Sequence, residues 1–418
     1  MNRVLESSSM SLRLLAALFL LCASAGCRLK TADPAEVERT IVFWEQQDAM
    51  VMPFLDGLFE RFKKLPGNAD VRFIRTHYQN EDLHQQFQTA SIAGNPPDIM
   101  LSPSDKAGVY CISGFILPVD GLFDLGRYNK AGIDAITLDG KTWGVPMTNG
   151  NHLMLFYNKR MVKSPPETMD DVHAFCEART KALSLDHCWA IHLGEPFWLM
   201  PWLGAYGGWP IDGRTPTLDT QAMRDALALM RDLKDVRKEI PPECDYNCMD
   251  VLFKERKVAF IVNGDWAIAV YQKVLGDELG AARIPRLSRG GPWPTPMVSG
   301  VYFMLSSKLA GPKLELVRRF VDFATSEEMQ IEQVKALGRL PSLAKASKSK
   351  AILEDPLLKA SMDQVLVGKP MPMATEMRAV WDAMRPLYGR FLTRQLTPGE
   401  ASAKMQKEAL AKIAEMNE

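Results

Sequence analysis

The segment GEPFW, residues 194–198, places one carboxylate and two aromatic rings within a few positions. A pyranose ring has an apolar face of C–H groups and a rim of hydroxyls, so a flat aromatic side chain beside short polar groups matches it. Carboxylates accept hydrogen bonds from neighbouring hydroxyls, whereas amides and guanidinium groups donate to them. Glu195, Phe197 and Trp198 therefore indicate a binding platform for a sugar ring.

The residues around this platform limit how it can fold. Pro196, Pro201 and the pair Gly207–Gly208 interrupt helical hydrogen bonding, so the segment predicts a short interrupted helix with loops at its ends. Adjacent helical residues point about 100° apart. We therefore expect Trp198 to face a ligand and Phe197 to pack in the core.

Purely structural roles are open for several of these residues. Glu195, which lies just before a proline, can cap a helix, and a buried tryptophan is often part of the core. For Trp202 and Trp209 we expect packing rather than ligand contact. Trp44 and Trp143 are also expected to be partly structural.

The N-terminus predicts export. Leu14–Ala25 is a short apolar run that ends in small residues, which indicates a signal peptide over residues 1–26 rather than a permanent membrane span. The sequence SAGC resembles a bacterial lipobox, which implies cleavage before Cys27, a lipid anchor on that cysteine and a tether over residues 27–39. A plain signal peptide with a structural Cys27 is the alternative. Either Met1 or Met10 is the start.

Charge and cysteine content narrow the class of protein. The chain has 50 basic and 50 acidic residues, so its overall field does not favour nucleic acid as a partner. Export permits disulfides, and proximity in sequence predicts the pairs Cys176–Cys188 and Cys244–Cys248, with Cys111 left over and buried. The histidines form no HExxH motif, and no CxxC pairs have zinc-ligand spacing, so we expect no metal and no other cofactor.

Alternating strand and helix patterns predict an α/β fold. TIVFWE (residues 40–45), ADVRFIRTHY and PPDIML read as strands of a parallel, doubly wound sheet, and KVAFIVNG (257–264) and VYFMLSS (301–307) as later strands. The expected helices are EDLHQQFQTASIAG, capped by Asn80 and ended by Gly94, then Gln221–Glu239, Leu314–Leu337 and Pro398–Met416. Thr397 and Glu400 form a capping box for the last of these.

Several segments resemble a known family in their order along the chain. They are TIVFWEQQD, AGNPPDIML, KTWGVPM, LFYNKRMV, LFKERKVAFIVNGDWAI, RRFVDFATSEEMQ, LGRLPS and AVWDAMR. In this order they are similar to extracellular solute-binding proteins of sugar ABC transporters, the class that includes maltose-binding protein. The resemblance implies a periplasmic-binding-protein type II fold, in which two doubly wound α/β lobes are joined by hinge crossings around a ligand cleft.

The resemblance also implies lobe boundaries and site residues. Residues 40–150 and 299–340 would form the first lobe, and residues 151–298 and 341–418 the second, with crossings near 149–152, 297–300 and 339–342. The implied ligand-binding residues are Asp48, Asp105, Asn151, Glu195, Phe197, Trp198, Trp266, Trp381 and Arg385. This chain has Ser102 where maltose-binding protein has a tryptophan, and Asn151 where the family has a carboxylate.

The expected function is that of a solute-binding protein rather than an enzyme. It would capture a carbohydrate, an oligosaccharide or disaccharide, by hinge closure as a monomer, and deliver it to the membrane permease. One alternative is a secreted hydrolase that uses Asp48, Asp105 and Glu195 as paired carboxylates. Another is the same fold with a different solute, such as a glycerol phosphate, a polyamine or iron. Pro386, which follows Arg385, either kinks a helix or bends it so that Trp381 points inward.

Overall fold

The computed structural model describes residues 34–416, apart from the side chains of residues 34, 35, 80 and 81. The predicted signal peptide, Cys27 and most of the predicted tether lie outside these residues. The chain divides into the units Met1–Thr40 and Ile41–Glu418. In the described part of the first unit, the helix Pro34–Glu38 is followed by Thr40, whose hydroxyl donates to the carbonyl of Glu36 at 2.7 Å.

The strands of the described residues form two main sheets. The strands are β1 Thr40–Glu45, β2 Arg72–His77, β3 Ile99–Pro103, β4 Thr137–Leu138, β5 Lys141–Thr142, β6 Val145–Pro146, β7 Leu153–Asn158, β8 Trp189–Ile191, β9 Ile211–Asp212, β10 Thr215–Pro216, β11 Phe260–Gly264, β12 Leu279–Ala282, β13 Met297–Val298, β14 Val301–Leu305 and β15 Lys369–Pro370. The first sheet has the order β2-β1-β3-β14-β6 and the second has the order β12-β7-β11-β8.

Strand direction differs in part from the predicted parallel sheet. The pair β1–β3 is parallel as predicted, whereas the predicted strand β14 is antiparallel to β3. In the second sheet, β8 is parallel to β11 and β7 is antiparallel to β11. The reason lies in where these strands begin. β7 and β14 follow two of the predicted crossing segments, so they start at the sheet edge where their neighbours end.

The helices mostly agree with the apolar periodicity. They are Pro34–Glu38, Met52–Lys63, Asn80–Ile92, Ala107–Ile112, Lys130–Asp134, Met169–Arg179, Met200–Ala205, Gln221–Arg231, Tyr246–Lys254, Ile268–Leu275, Gly311–Ala324, Glu327–Leu337, Lys350–Leu353, Pro356–Val365, Glu376–Leu392 and Pro398–Met416. The capping box of the last helix is confirmed, because the amide of Glu400 donates to the Thr397 hydroxyl and the amide of Thr397 donates to the Glu400 carboxylate.

Three helix predictions were wrong in detail. Asn80 lies inside its helix, which has Gln79 at the N-cap. The helix predicted over 314–337 is two helices, since Ser326 caps a new one by accepting from the amide of Met329. The helix predicted over 221–239 is α-helical only as far as Arg231, and a π-helix follows over Asp232–Val236. The sequence pattern does not reveal this change, because the shift in hydrogen-bond register leaves the apolar spacing almost unaltered.

The three predicted crossing segments lie side by side. The amides of Gly150 and Ser299 each donate to the other residue's carbonyl, at 3.1 and 2.8 Å, and the amide of Asn149 donates to the carbonyl of Leu340 at 3.0 Å. These bonds join residues that are far apart in sequence into a short strip between the two sheets. The lobe boundaries inferred from the resemblance stay predictions.

The structure contains both locally paired disulfides, Cys176–Cys188 and Cys244–Cys248. Cys111 is a free thiol, buried in the core beside β3 and β14. Among the described helices, none combines the length and the apolar character that a membrane crossing requires.

Candidate ligand-binding site

A cavity of about 590 Å³ opens where strands of both sheets meet the crossing strip. The ends of β1, β3, β8 and β11 lead into it, which is the edge at which open α/β sheets bind ligands. The volume is within the usual range for small-molecule sites. All nine residues proposed from the sequence line this cavity: Asp48, Asp105, Asn151, Glu195, Phe197, Trp198, Trp266, Trp381 and Arg385.

The side of the cavity next to the first sheet is polar. The segment after β1 supplies Gln47 and the exposed Asp48, and a short 3₁₀ helix after β3 supplies the partly buried Asp105. Arg339, buried in a crossing segment, donates from Nη1 to Oε1 of Gln47 at 3.0 Å, and its Nη2 lies 3.5 Å from a carboxylate oxygen of Asp48. The guanidinium group thereby orients two hydrogen-bonding side chains at the cavity wall.

Asn151 lies at the boundary between the two sides. Its backbone has a φ of 47°, in the left-handed region that asparagine tolerates better than most residues. The side-chain amide donates to the hydroxyl of Ser299 at 3.1 Å, across two crossing segments. The amide group thus connects the cavity wall to the crossing strip.

The platform segment folds as a 3₁₀ helix over Pro196–Leu199, with Glu195 as its N-cap. One carboxylate oxygen of Glu195 accepts from the amide of Phe197 at 3.4 Å, and the other accepts from Nε of Arg385 at 3.0 Å. Glu195 therefore caps the helix, which is the structural role that the sequence left open for it, and it also lines the cavity. The Arg385 pair holds the carboxylate in place.

The relative burial of Trp198 and Phe197 is the reverse of what we expected, although both line the cavity. The side chain of Trp198 is 7% exposed, and its indole N–H donates to the carbonyl of Val262 at 2.8 Å, whereas Phe197 is only partly buried. The expectation relied on α-helical spacing, but the segment is a 3₁₀ helix entered from a turn after β8. Phe197 is therefore the more accessible ring, and Trp198 is the ring that supports it, with centroids 5.7 Å apart.

Trp266 and Trp381 complete the aromatic side. Trp266 follows β11 and donates its indole N–H to the hydroxyl of Tyr246 at 3.0 Å. Trp381 lies on the helix Glu376–Leu392, which runs through Pro386 without ending, and the guanidinium carbon of Arg385 lies 5.9 Å from its ring centroid. The two tryptophans assigned to packing lie outside the cavity wall: Trp202 is fully buried, and Trp209 is partly buried beneath Lys369.

Burial shifts the pKa of two side chains behind the aromatic side. It lowers the pKa of His192, whose ring lies 4.8 Å from that of Trp198, while the Glu195 carboxylate acts in the opposite direction. Burial also raises the pKa of the Tyr246 hydroxyl. Both shifts keep these groups neutral at ordinary pH. Within residues 34–416, no group of His, Cys, Asp or Glu is arranged to hold a metal ion.

Comparison with known proteins places the chain in a family. Residues 57–360 match the family described as bacterial extracellular solute-binding protein. The chain belongs to this family. The resemblance inferred from the segment order is thereby confirmed.

Several bacterial and archaeal solute-binding proteins are similar over most of their length. The maltotriose-binding protein of Pyrococcus abyssi is 24% identical over 357 residues, which cover 82% of this chain and 76% of the relative. The maltooligosaccharide ABC transporter solute-binding lipoprotein of Streptococcus pneumoniae is 26% identical over 306 residues, with 69% and 70% covered. The solved maltose/maltodextrin-binding domain of Bdellovibrio bacteriovorus, bound to maltotriose, has a TM-score of 0.81 and 32% identity, with 90% of this chain and 100% of that chain covered. The two-lobed α/β fold is confirmed by this likeness.

Sequence reasoning did not identify every residue at the cavity of this solute-binding protein. Gln46 and Gln47 were passed over although they adjoin Asp48, and Arg339 was noted only as part of a crossing. Arg378 could have been found by helix geometry, because it lies one turn before Trp381 and two turns before Arg385 on the same face. Arg339 gave no such signal, since its partner Gln47 is 292 positions away in the chain.

Proposed function

We propose that this protein is the solute-binding component of an ABC importer and that it captures a neutral oligosaccharide or disaccharide. The observation that carries the proposal is one cavity lined both by four aromatic rings and by carboxylate, amide and guanidinium groups. A sugar ring needs both, because its C–H face stacks on aromatic rings while its hydroxyls require partners. The printed names of the relatives, which concern maltotriose and maltooligosaccharides, point in the same direction.

The charge of the cavity favours a neutral solute over the charged alternatives. Its lining contains three carboxylates, from Asp48, Asp105 and Glu195, and three guanidinium groups, from Arg339, Arg378 and Arg385. Two of the carboxylates lie within ion-pair distance of these arginines. A polyamine site requires an excess of carboxylates and a glycerol phosphate site an excess of cations, so the balance supports neither.

A thermal-shift screen tests the ligand class. Maltodextrins of increasing length, other disaccharides, glycerol phosphates and polyamines are added to the mature domain. A ligand that binds only the folded state raises the melting temperature by mass action. We expect stabilisation by oligosaccharides alone. Stabilisation by glycerol phosphates or polyamines alone would overturn the assignment.

The same incubation tests the hydrolase alternative. We expect a bound oligosaccharide to be recovered intact after long incubation, because the carboxylates of Asp48 and Glu195 are already paired with Arg339 and Arg385 rather than placed as a catalytic pair. Product analysis by chromatography is the measurement. Shortened saccharide chains would indicate an enzyme.

Ligand capture is proposed to proceed by hinge closure of a monomer. The crossing strip at residues 148–151, 299 and 340–341 would absorb the change, and the closed form would be recognised by the permease. Small-angle scattering with and without a ligand from the screen should show a smaller radius of gyration in the complex and the mass of one chain in both. An unchanged radius would contradict closure as the signal.

A lipid anchor on Cys27 is the last part of the proposal. Acylation of this cysteine would hold the exported protein at a membrane, in the periplasm or at the cell surface. Cys27→Ala should move the protein from the membrane fraction to the soluble envelope fraction. A wild-type protein that is already soluble would favour the plain signal peptide.

A further inference from the structure

A turn closed by a disulfide lies directly behind the aromatic side of the cavity. The disulfide Cys244–Cys248 encloses the first turn of the helix Tyr246–Lys254. Asp245 caps the same helix by accepting from the amide of Cys248 at 2.8 Å. The turn is thus fixed by a covalent bond and by a helix cap, and Tyr246 is the middle one of the three residues between the two cysteines.

Tyr246 connects this turn to two rings that line the cavity. Its hydroxyl accepts the indole N–H of Trp266 at 3.0 Å, and its ring lies edge-on to Trp198 with centroids 6.2 Å apart. Trp198 and Trp266 also meet edge-on, at 6.3 Å. Tyr246 itself does not belong to the cavity lining. It therefore touches the rings from behind.

The turn is also joined to the platform segment. The carbonyl of Cys244 accepts from the amide of Leu193 at 3.0 Å, two residues before Glu195. Through this bond and through Tyr246, the turn contacts two of the three chain segments that bring aromatic rings to the cavity, those of Trp198 and Trp266. The other disulfide, Cys176–Cys188, borders a separate groove lined by His173 and Glu239.

We propose that the turn Cys244–Cys248 is a positioning element for the binding site, in which the Tyr246 hydroxyl fixes the plane of the Trp266 ring. This inference rests on the proposed function, since it concerns how the same site recognises its ligand. An indole ring stacks on a sugar only when its plane is parallel to the C–H face, so its rotation about the side-chain bonds must be restricted. The hydrogen bond from its N–H provides that restriction.

The first experiment observes Trp266 directly and needs no ligand. The indole N–H resonance of Trp266 is assigned by NMR as the peak that disappears in Trp266→Phe. We expect this peak to shift in Tyr246→Phe and in the double variant Cys244→Ser/Cys248→Ser. It should keep its position in Cys176→Ser/Cys188→Ser, which also lacks one disulfide. An unmoved Trp266 peak in Tyr246→Phe would overturn the inference.

The second experiment measures binding, with maltotriose as the probe. Tyr246→Phe should weaken binding by about three- to tenfold, which corresponds to one lost hydrogen bond. In the Trp266→Phe background the same change should lower the affinity by less than about twofold, because this background lacks the indole N–H that donates to Tyr246. An equal loss of affinity in both backgrounds would mean that Tyr246 acts on general stability, and the inference would fail.

Controls separate this inference from the proposed function. Tyr128→Phe also removes a hydrogen-bonded hydroxyl, which pairs with that of Thr325 in the first lobe, and it should leave maltotriose affinity unchanged. If the wild-type protein binds no saccharide in the screen, the proposed function fails, while the NMR result still decides whether the turn positions Trp266. If the wild type binds and Tyr246→Phe binds equally well, only the positioning role fails.

Discussion

The two sides of the cavity differ in the side chains they present. The side next to the first sheet contributes Asp48, Asp105 and Arg339 and no aromatic ring among the described residues. The side next to the second sheet contributes four rings, from Phe197, Trp198, Trp266 and Trp381, together with Glu195, Arg378 and Arg385. Ser102, which the resemblance aligns with a tryptophan of maltose-binding protein, lies on the first side and is buried in β3. Stacking surface is therefore concentrated on one side of the cavity.

This asymmetry suggests an order of events in binding. The four rings belong to or pack against the core around the second sheet, so the fold itself holds this surface in place. The polar groups on the opposite side lie in or next to short 3₁₀ helices and in the crossing strip. We infer that a sugar first stacks on the rings and that closure then brings the hydrogen-bonding groups of the opposite side to its hydroxyls.

The largest effect is expected for Trp198→Ala. Its side chain is buried and its indole N–H donates to the carbonyl of Val262, so truncation leaves a cavity and removes this hydrogen bond. We expect a loss of about 3–5 kcal/mol in the free energy of unfolding, measured by urea denaturation without ligand. Unchanged stability with lower sugar affinity would show that Trp198, as the spacing first indicated, is a binding ring rather than a supporting one.

Phe197→Ala should have the opposite profile. The ring is partly exposed to the cavity, so its removal should weaken sugar binding by about 1–3 kcal/mol and change the free energy of unfolding little. Isothermal titration calorimetry and urea denaturation provide the two measurements. Phe197→Leu is the matched control, because it keeps apolar area but removes the flat face. If Leu restores full affinity, stacking on Phe197 is not what holds the sugar.

The difference between these two neighbours shows how far the sequence could lead. Residue types and segment order predicted the fold and a set of side chains that the structure brings around one cavity. They could not predict which of two adjacent rings is deeper, because that depends on the Val262 carbonyl, 64 positions away, and on a 3₁₀ rather than an α-helical turn. The antiparallel β7 and β14 were also beyond local patterns, since strand direction follows from the crossings.

A smaller effect is expected from acid, through a buried pair behind the aromatic side. His152 is fully buried, with its Nδ1 3.8 Å from the carboxylate of Asp265, the residue before Trp266, and its Nε2 3.4 Å from the hydroxyl of Ser361. Burial lowers the pKa of His152 from its ordinary 6.5, while Asp265 acts in the opposite direction. The unfolded chain therefore takes up a proton at a higher pH than the folded one.

The sign of the pH dependence follows from this. Above about pH 6.5 the histidine is neutral in both states. Below that pH, the free energy of unfolding falls by up to about 1.4 kcal/mol per pH unit, until the pH reaches the lower pKa of His152 in the folded protein. Urea denaturation at about pH 7.5 and about pH 5.5 should show this loss in the wild type. His152→Gln should reduce it, leaving the part that His192, with a pKa lowered in the same direction, contributes. If the wild type and His152→Gln lost the same free energy of unfolding between these two pH values, His152 would be excluded as the source.

The smallest effect is expected on the polar side, for Asp48→Asn. Asp48 is exposed, and its ion pair with Arg339 is therefore screened by solvent, so the free energy of unfolding should change by less than about 1 kcal/mol. The amide keeps the size of the side chain and one carbonyl acceptor for a sugar hydroxyl. We expect affinity for a neutral saccharide to fall by less than about tenfold, as measured by titration calorimetry.

The salt dependence of this variant distinguishes the ligand classes most clearly. A neutral sugar has no long-range electrostatic attraction to the Asp48 carboxylate. Its affinity should therefore depend on salt concentration as weakly in Asp48→Asn as in the wild type. Asp219→Asn, a change at an ion-paired aspartate outside the cavity lining, is the matched control for altered net charge. A cationic ligand would behave differently, because its binding would be strong at low salt in the wild type and would lose both strength and salt sensitivity in Asp48→Asn but not in Asp219→Asn. That pattern would require a polyamine-like solute, and the aromatic rings of the second lobe would then serve as a cation–π surface rather than as a sugar platform.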